Sequence, residues 1–379
     1  MSRINVSKLT NENEEGGPSI SGISTFSTTA FLEVPKGTTA QRPEFVQPGM
    51  IRFNTDSGHL EYYDGVEWTD VVVTNNTLDG GARGLFMGGN DETTPGAFNT
   101  IDYITISSLG NAINFGDLQA GTLGGSSCAS SVRGIFAGGQ KTPLVTAVIS
   151  FVTFSSTGNA STFGNLTSAT EWPSAMSNST RGLIAGGRVS SSGVNTIEYI
   201  TIASTGNAQD FGDLRSVRSF YSMSFASSTR GINGGESPGF TNLIDFVTIS
   251  TTGNASAFGD LTDNKGGAGC SNSTRGLFGG GYNPGLSNSI TFITIASTGN
   301  SQDFGDLTQA RRALGACSSS IRGVWGGGMN PSPAATDFNI LDYVTIASTG
   351  NAVDFGDLVT GNSGRQRNKT ACSNGHGGL

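Results

Sequence analysis

A six-fold internal repeat constrains this chain more than any other feature. Arg-Gly, an apolar pair or so and Gly-Gly occur at Arg83-Gly84-Leu85-Phe86-Met87-Gly88-Gly89, and the same mark begins at Arg133, Arg181, Arg230, Arg275 and Arg322. Successive arginines stand 50, 48, 49, 45 and 47 residues apart. A period of that size built from strand-like units belongs to radial or solenoid arrays, in which each unit buries its apolar face against the next.

The fifth unit shows the pattern. Gly269–Thr274 leads into Arg275-Gly276-Leu277-Phe278-Gly279-Gly280, then Ser289–Ala296, a Ser297-Thr298-Gly299-Asn300 turn, and Ser301–Leu307. These are four short β-type runs separated by turn residues, the third rich in Ile, Thr and Phe as in a strand covered on both faces. Gly and Asn in the turn tolerate positive φ, which suits a tight hairpin. No segment carries a 3.6-residue apolar period over a useful length. Four strands per unit and six units predict an all-β, six-bladed β-propeller.

At these residues the repeat resembles the kelch family of propellers. The family's diglycine, third-strand aromatic and fourth-strand aromatic correspond here to Gly88-Gly89, Tyr103 and Phe115, and again to Gly186-Gly187, Tyr199 and Phe211. Phenylalanine stands where kelch repeats usually have tryptophan. The resemblance covers residues 83–379. The first unit begins at the Arg-Gly strand, and Asn368–Asn374 reads as the strand it lacks, so both ends of the domain are expected to close blade one and leave no exposed edge. Under kelch connectivity that strand is innermost.

Composition sets the surface. Of 379 residues, 57 are glycine and only 13% are charged, against a usual share of about 25%. Ser, Thr and Asn fill the exterior, as in extracellular, carbohydrate-contacting and virion β-structures. A formal charge of −8 with no Lys/Arg run gives no nucleic-acid footprint. No apolar stretch is long enough for a spanning helix, and the start lacks a secretory pattern. Cys128, Cys270 and Cys317 each fall five residues before a repeat arginine, Cys372 takes the matching place, and Met176 and Phe225 fill the slot elsewhere. Cysteines that alternate with Met and Phe read as buried free thiols, two disulfides being the alternative.

In an up-and-down blade, the turns between strands one–two and three–four share one face and are nearly uniform here. The other face varies: Asn90–Phe98, Gln140–Thr146, Glu236–Phe240, Tyr282–Ser287 and Met329–Asp337, with Glu171-Trp172-Pro173, Arg215–Tyr221, Gln309–Arg312 and Gly364–Lys369. A rigid scaffold with its variation on one face is the usual layout of a binding surface. Candidate ligand-binding residues there are Trp172, Arg215, Arg218, Tyr221, Tyr282, Arg311, Arg312 and Arg365, with Phe220 beside them. Aromatic planes with guanidinium donors suit sugar or acidic-polysaccharide recognition. Core capping and a solvated rim are the plainer reading of any single one.

The repeat arginines are expected to bind carbonyls of an adjacent turn, and the Phe-Gly-Asp-Leu aspartates (Asp117, Asp213, Asp260, Asp306, Asp357) to cap turns. Asn90-Asp91-Glu92 is a weak calcium candidate. With His59 and His376 the only histidines, a histidine-based triad is not expected. The chain is read as no enzyme, with no cofactor and no metal, although a carboxylate pair for glycoside hydrolysis stays open.

Residues 1–78 fall outside the repeat, leaving 79–379 to the propeller. Residues 7–28 read as an extended arm, and Gly49–Gly58 with Leu60–Trp68 as a two-stranded hairpin module turning at Asp56-Ser57-Gly58. This module, with the Met-Ser-Arg-Ile-Asn-Val start, is similar to one in structural and tail-fibre proteins of tailed phages, especially cyanophages. The resemblance implies a virion protein anchored to other virion proteins through residues 1–78, present in several copies and displaying a propeller for host-surface glycan or receptor binding. A head-decoration or tail-assembly role is the structural alternative, and a polysaccharide-degrading enzyme a third.

Overall fold

The structure, a computed structural model, describes residues 34–71, 82–91, 96–141, 143–235, 241–263, 266–282, 285–331, 336–359 and 366–379. The expected arm over residues 7–28 and the 236–240 loop lie outside these. Contacts divide the chain into two units, Met1–Asn75 and Asn76–Leu379. Regular structure among the described residues is all strand, apart from one 3-10 turn at Thr39–Gln41.

In the first unit the expected hairpin forms, pairing Ile51–Asn54 with His59–Tyr63. The module is larger than the two strands expected. Trp68–Val71 adds on antiparallel beside His59–Tyr63, and Lys36–Gly37 adds on parallel beside Ile51–Asn54. Its burial is inverted. Arg52, Asn54 and Glu61 are 5%, 1% and 0% exposed, while Ile51 and Phe53 are 51% and 37% exposed. Glu61 accepts from Arg42 Nη2 at 2.6 Å and from Asn54 Nδ2 at 3.1 Å, with Arg52 Nη1 at 3.2 Å. The hydrogen bond from Arg42 holds the Glu61 carboxyl below its usual range. The opposite face carries Ile51 across from Tyr62, and Leu60 between Phe53 and Val71.

Besides two two-stranded ribbons, the second unit holds among its described residues six antiparallel sheets of the same plan. In the second of them the first to fourth strands are Ser126–Ala129, Arg133–Ala137, Val148–Thr153 and Ser161–Asn165, hydrogen-bonded in that order. The first strands of the third to sixth sheets are Ser174–Ser177, Met223–Ala226, Ala268–Ser271 and Gly315–Ser318. The first sheet is completed from far along the chain: Thr370–Ser373 pairs with Arg83–Met87, Cys372 opposite Leu85. All four cysteines are buried free thiols.

Each third–fourth strand pair slips at an equivalent place, as between Ile149 and Ser150 or Ile244 and Asp245, and the pair in the third sheet slips a second time between Val194 and Thr196. The shared slip leaves the fourth-strand phenylalanine unpaired and turned into the core. There it meets the third-strand aromatic edge-on, with centroids 5.9–6.1 Å apart in all six sheets. The repeat arginine lies over that same third-strand ring at 4.7–5.3 Å, a cation–π contact worth about 0.5–2 kcal/mol.

The same arginines join neighbouring sheets. Arg133 Nη1 donates to Ile202 O and Ala203 O at 3.0 and 2.8 Å, and Arg181, Arg230 and Arg275 repeat this toward the next sheet in turn. Arg83 reaches Phe154 O in the second sheet, and Arg322 of the sixth reaches Ile106 O in the first. The glycine after each arginine makes room for the Cys, Met or Phe slot residue of the preceding sheet. A Cβ on Gly182 would stand 2.7 Å from Cys128 Sγ, and one on Gly84 2.5 Å from Cys317 Sγ. Backbone bonds also cover the fourth-strand edges: Gly253 N–H donates to Phe211 O at 2.7 Å and Ala255 N–H to Asp213 O at 2.8 Å. A Cβ on Gly212 would stand 2.5 Å from Gly253 O, so the fourth strand needs glycine there.

Candidate functional site

The segment leading into each first strand sets the site. Four residues before the slot position, every one of the six segments takes a left-handed turn: Gly124 (φ 60°), Trp172 (59°), Tyr221 (51°), Gly266 (72°), Ala313 (59°) and Asn368 (58°). Glycine and asparagine enter this region easily, whereas bulky residues are outliers there. Trp172 and Tyr221 hold a conformation costing on the order of 1–3 kcal/mol. What they gain is position. Their ring centroids are 5.0 Å apart, with Phe220 5.7 Å from Trp172, and the indole lies against Gly124, where a Cβ would be 2.7 Å away. The Tyr221 hydroxyl donates to Asn368 Oδ1 at 3.3 Å, linking the fourth sheet to the first.

Beneath these rings is a cavity of about 110 Å³, lined by the opening residues of all six first strands. Its wall is mostly glycine, alanine and serine, with Met223, Leu314, Lys369 and Thr370 among them. A smaller cavity of about 50 Å³ continues along the same strands to His376. There the segment after Ser373 folds across the far end. Gly377 N–H donates to Ser271 O at 2.9 Å. His376 Nε2 donates to Ala129 O at 2.9 Å, while its Nδ1 accepts from Gly378 N–H at 3.1 Å. One neutral tautomer satisfies both contacts, and burial pushes the imidazole pKa down accordingly.

Of the candidate residues, Trp172 and Tyr221 come together at the cavity mouth. Burial pushes the Tyr221 hydroxyl pKa up, against the pull of nearby Arg312 and Arg367. Arg312 stacks over Tyr282 at 5.9 Å as a separate pair. Arg365 lies outside the described residues, as does Glu92 of the calcium candidate. No group of three His, Cys, Asp or Glu with metal-site geometry occurs among the described residues.

Arg218 and Arg311 are corrections. Both are 0% exposed, so neither can reach a ligand in solution. Arg218 Nη2 is 3.1 Å from Asp245 Oδ2 and Arg311 Nη1 is 2.7 Å from Asp342 Oδ2. Arg215, partly exposed, also reaches Asp245 at 3.3 Å. Lys369 makes the equivalent buried pair with Asp102, at 3.0 Å. These cations are counter-ions for aspartates in the third strands. The signal was present in the repeat: Asp102, Asp245 and Asp342 share one repeat position, where the other units carry Ser150, Glu198 and Thr291. The three aspartate units are entered by segments bearing Lys369, Arg218 and Arg311.

The repeat arginines bind turn carbonyls as expected. The aspartates of the Phe-Gly-Asp-Leu runs do not cap those turns with their carboxylates. The capping side chain is the turn asparagine of the next sheet, as where Asn254 Oδ1 accepts from Asp213 N–H at 3.0 Å and Asn111 Oδ1 from Asp357 N–H at 3.0 Å. No protein-family model matches the chain, and a search of curated proteins finds no match.

Proposed function

We propose that the six sheets are the blades of a kelch-like β-propeller, and that the chain is a phage virion protein, a tail fibre or adhesin that offers this unit to a glycan or receptor on the host surface. The ring reading is supported by two contact networks, the arginine–carbonyl bonds and the slot-residue–glycine contacts, both of which lead from the sixth sheet back to the first. The binding reading rests on one observation: two bulky aromatics, Trp172 and Tyr221, occupy left-handed positions at a cavity mouth. Glycine fills the equivalent place twice. Bulky residues held in sparsely populated backbone regions cluster at functional sites.

Residues 1–78 act as the virion anchor. In support, the apolar sheet face of Ile51, Phe53, Leu60, Tyr62 and Val71 is partly solvent-exposed, Ile51 by 51%, and a neighbouring virion protein would cover it. Several copies per particle would convert weak single-site binding into firm attachment. The test is adsorption of the labelled full-length protein to host cells and to a glycan array, with immuno-electron microscopy locating it on the particle. Binding to neither surface, or an internal position, would refute the adhesin reading.

A further inference from the structure

We infer that the cavity beneath Trp172 and Tyr221 takes a single neutral sugar ring and discriminates against acidic sugars. The inference rests on the reading that this end of the unit binds glycan, and adds the ligand's charge and size. The size follows from the volume. A cavity of about 110 Å³ holds about four waters at the roughly 30 Å³ each takes in the liquid, room for one end of a single pyranose and not for a run of polysaccharide.

The wall chemistry sets the charge. Lys369 is the one charged side chain lining the cavity among the described residues. Its side chain is 1% exposed and its ammonium is held 3.0 Å from Asp102 Oδ2. Arg367, outside this lining, is 3.5 Å from Asp337. A carboxylate seated against this lining would shed water with no unpaired cation in the wall to receive it, a large desolvation cost. The aromatic faces, negative at their centres, repel an anion and suit the C–H face of a sugar.

A polar group already waits in the wall. Ser126 is 3% exposed, and its Oγ is buried with no hydrogen-bond partner. At the equivalent place in the third sheet, Ser174 Oγ donates to Ala185 O at 3.1 Å. A buried hydroxyl left unpaired in a native fold calls for a partner, and a sugar hydroxyl supplies one.

The experiment titrates full-length protein with methyl glycosides of glucose, galactose, mannose and N-acetylglucosamine, and separately with glucuronic and N-acetylneuraminic acids. Binding is read by saturation-transfer NMR and tryptophan fluorescence at low and high salt. The variants are Trp172→Gly and Tyr221→Gly, since glycine is native at Gly124 and Gly266, and Ser126→Ala. Expected is salt-independent binding of at least one neutral glycoside, weakened about tenfold by each aromatic replacement and weakened also by Ser126→Ala, with thermal unfolding of the variants still cooperative. Salt-sensitive binding of the acidic sugars, unchanged in the variants, would overturn the inference and leave the glycan reading standing. Binding of neither class, with a glycan array also blank, would overturn both.

Discussion

Replacing Lys369 with methionine tests whether the buried ion pairs hold the unit together. Methionine keeps the apolar stem and removes the ammonium, so Asp102, 1% exposed at its side chain, is left in the core without a counter-charge. Breaking such a pair from one side costs about 3–5 kcal/mol. At about 2 °C per kcal/mol for a unit of this size, Tm should fall by roughly 6–10 °C near neutral pH. Burial already raises the Asp102 carboxyl pKa and lowers that of the Lys369 ammonium, so each charge is tolerated only because of the other. The sign of the pH dependence follows. Without the lysine, the folded-state value of Asp102 rises further above the ordinary 3.8. A carboxyl with a raised folded value is at no disadvantage below its unfolded value and loses stability as pH rises through the folded one. The deficit of the variant should therefore be greatest at about pH 8 and shrink by about pH 5. Asp102→Leu combined with Lys369→Met removes both charges and should recover most of the loss. Thermal unfolding of the wild type, both single variants and the double variant at both pH values gives the cycle. A deficit below about 1 kcal/mol, or one equal at both pH values, or a double variant no better than Lys369→Met, would refute the reasoning.

Removing residues 370–379 should abolish cooperative unfolding, because Arg83–Met87 would become an unpaired edge; a soluble, cooperatively folded truncation would contradict the shared first sheet. Gly212→Ala should cost about 1–3 kcal/mol by overpacking against a carbonyl that cannot yield, while Gly206→Ala, with nothing within 4 Å of the added carbon, should stay within about 0.5 kcal/mol; urea titration of both checks the contrast. His376, neutral in the fold with its pKa lowered by burial, contributes stability that is full above the ordinary 6.5 and is lost as pH falls through it toward the folded value. His376→Gln should flatten that part of the pH–stability curve, and an unchanged slope would show that another group sets it.

Much of the architecture was legible in the sequence because a repeat reports the same environment six times. Cysteine, methionine and phenylalanine trading places in one slot disclosed its burial, and the missing strand before Arg83 pointed to residues 368–374. The candidate site was legible by exclusion only. Variation marked the right end of the sheets, but charge there was misread: arginine in a polar segment looks the same whether it meets solvent or a buried aspartate. Arg218 and Arg311 were resolved by partners 27 and 31 residues away. The left-handed slot was hidden for another reason. Glycine or asparagine fills it in three units and signals it, whereas Trp172, Tyr221 and Ala313 adopt it only because the surrounding sheets impose the turn.

The pairing of Thr370–Ser373 with Arg83–Met87 also governs how the molecule can be made. Arg83 N–H donates to Asn374 Oδ1 across 291 residues of chain. At roughly 5–20 residues per second of synthesis, the first sheet waits on the order of 15–60 s for its own first strand, while the later sheets can assemble as they emerge. Throughout that interval Arg83–Met87 is an open template for any passing strand, its own or that of another nascent copy. High expression should therefore favour exchanged strands between neighbours, and faster translation, which shortens the interval, should favour the unexchanged monomer.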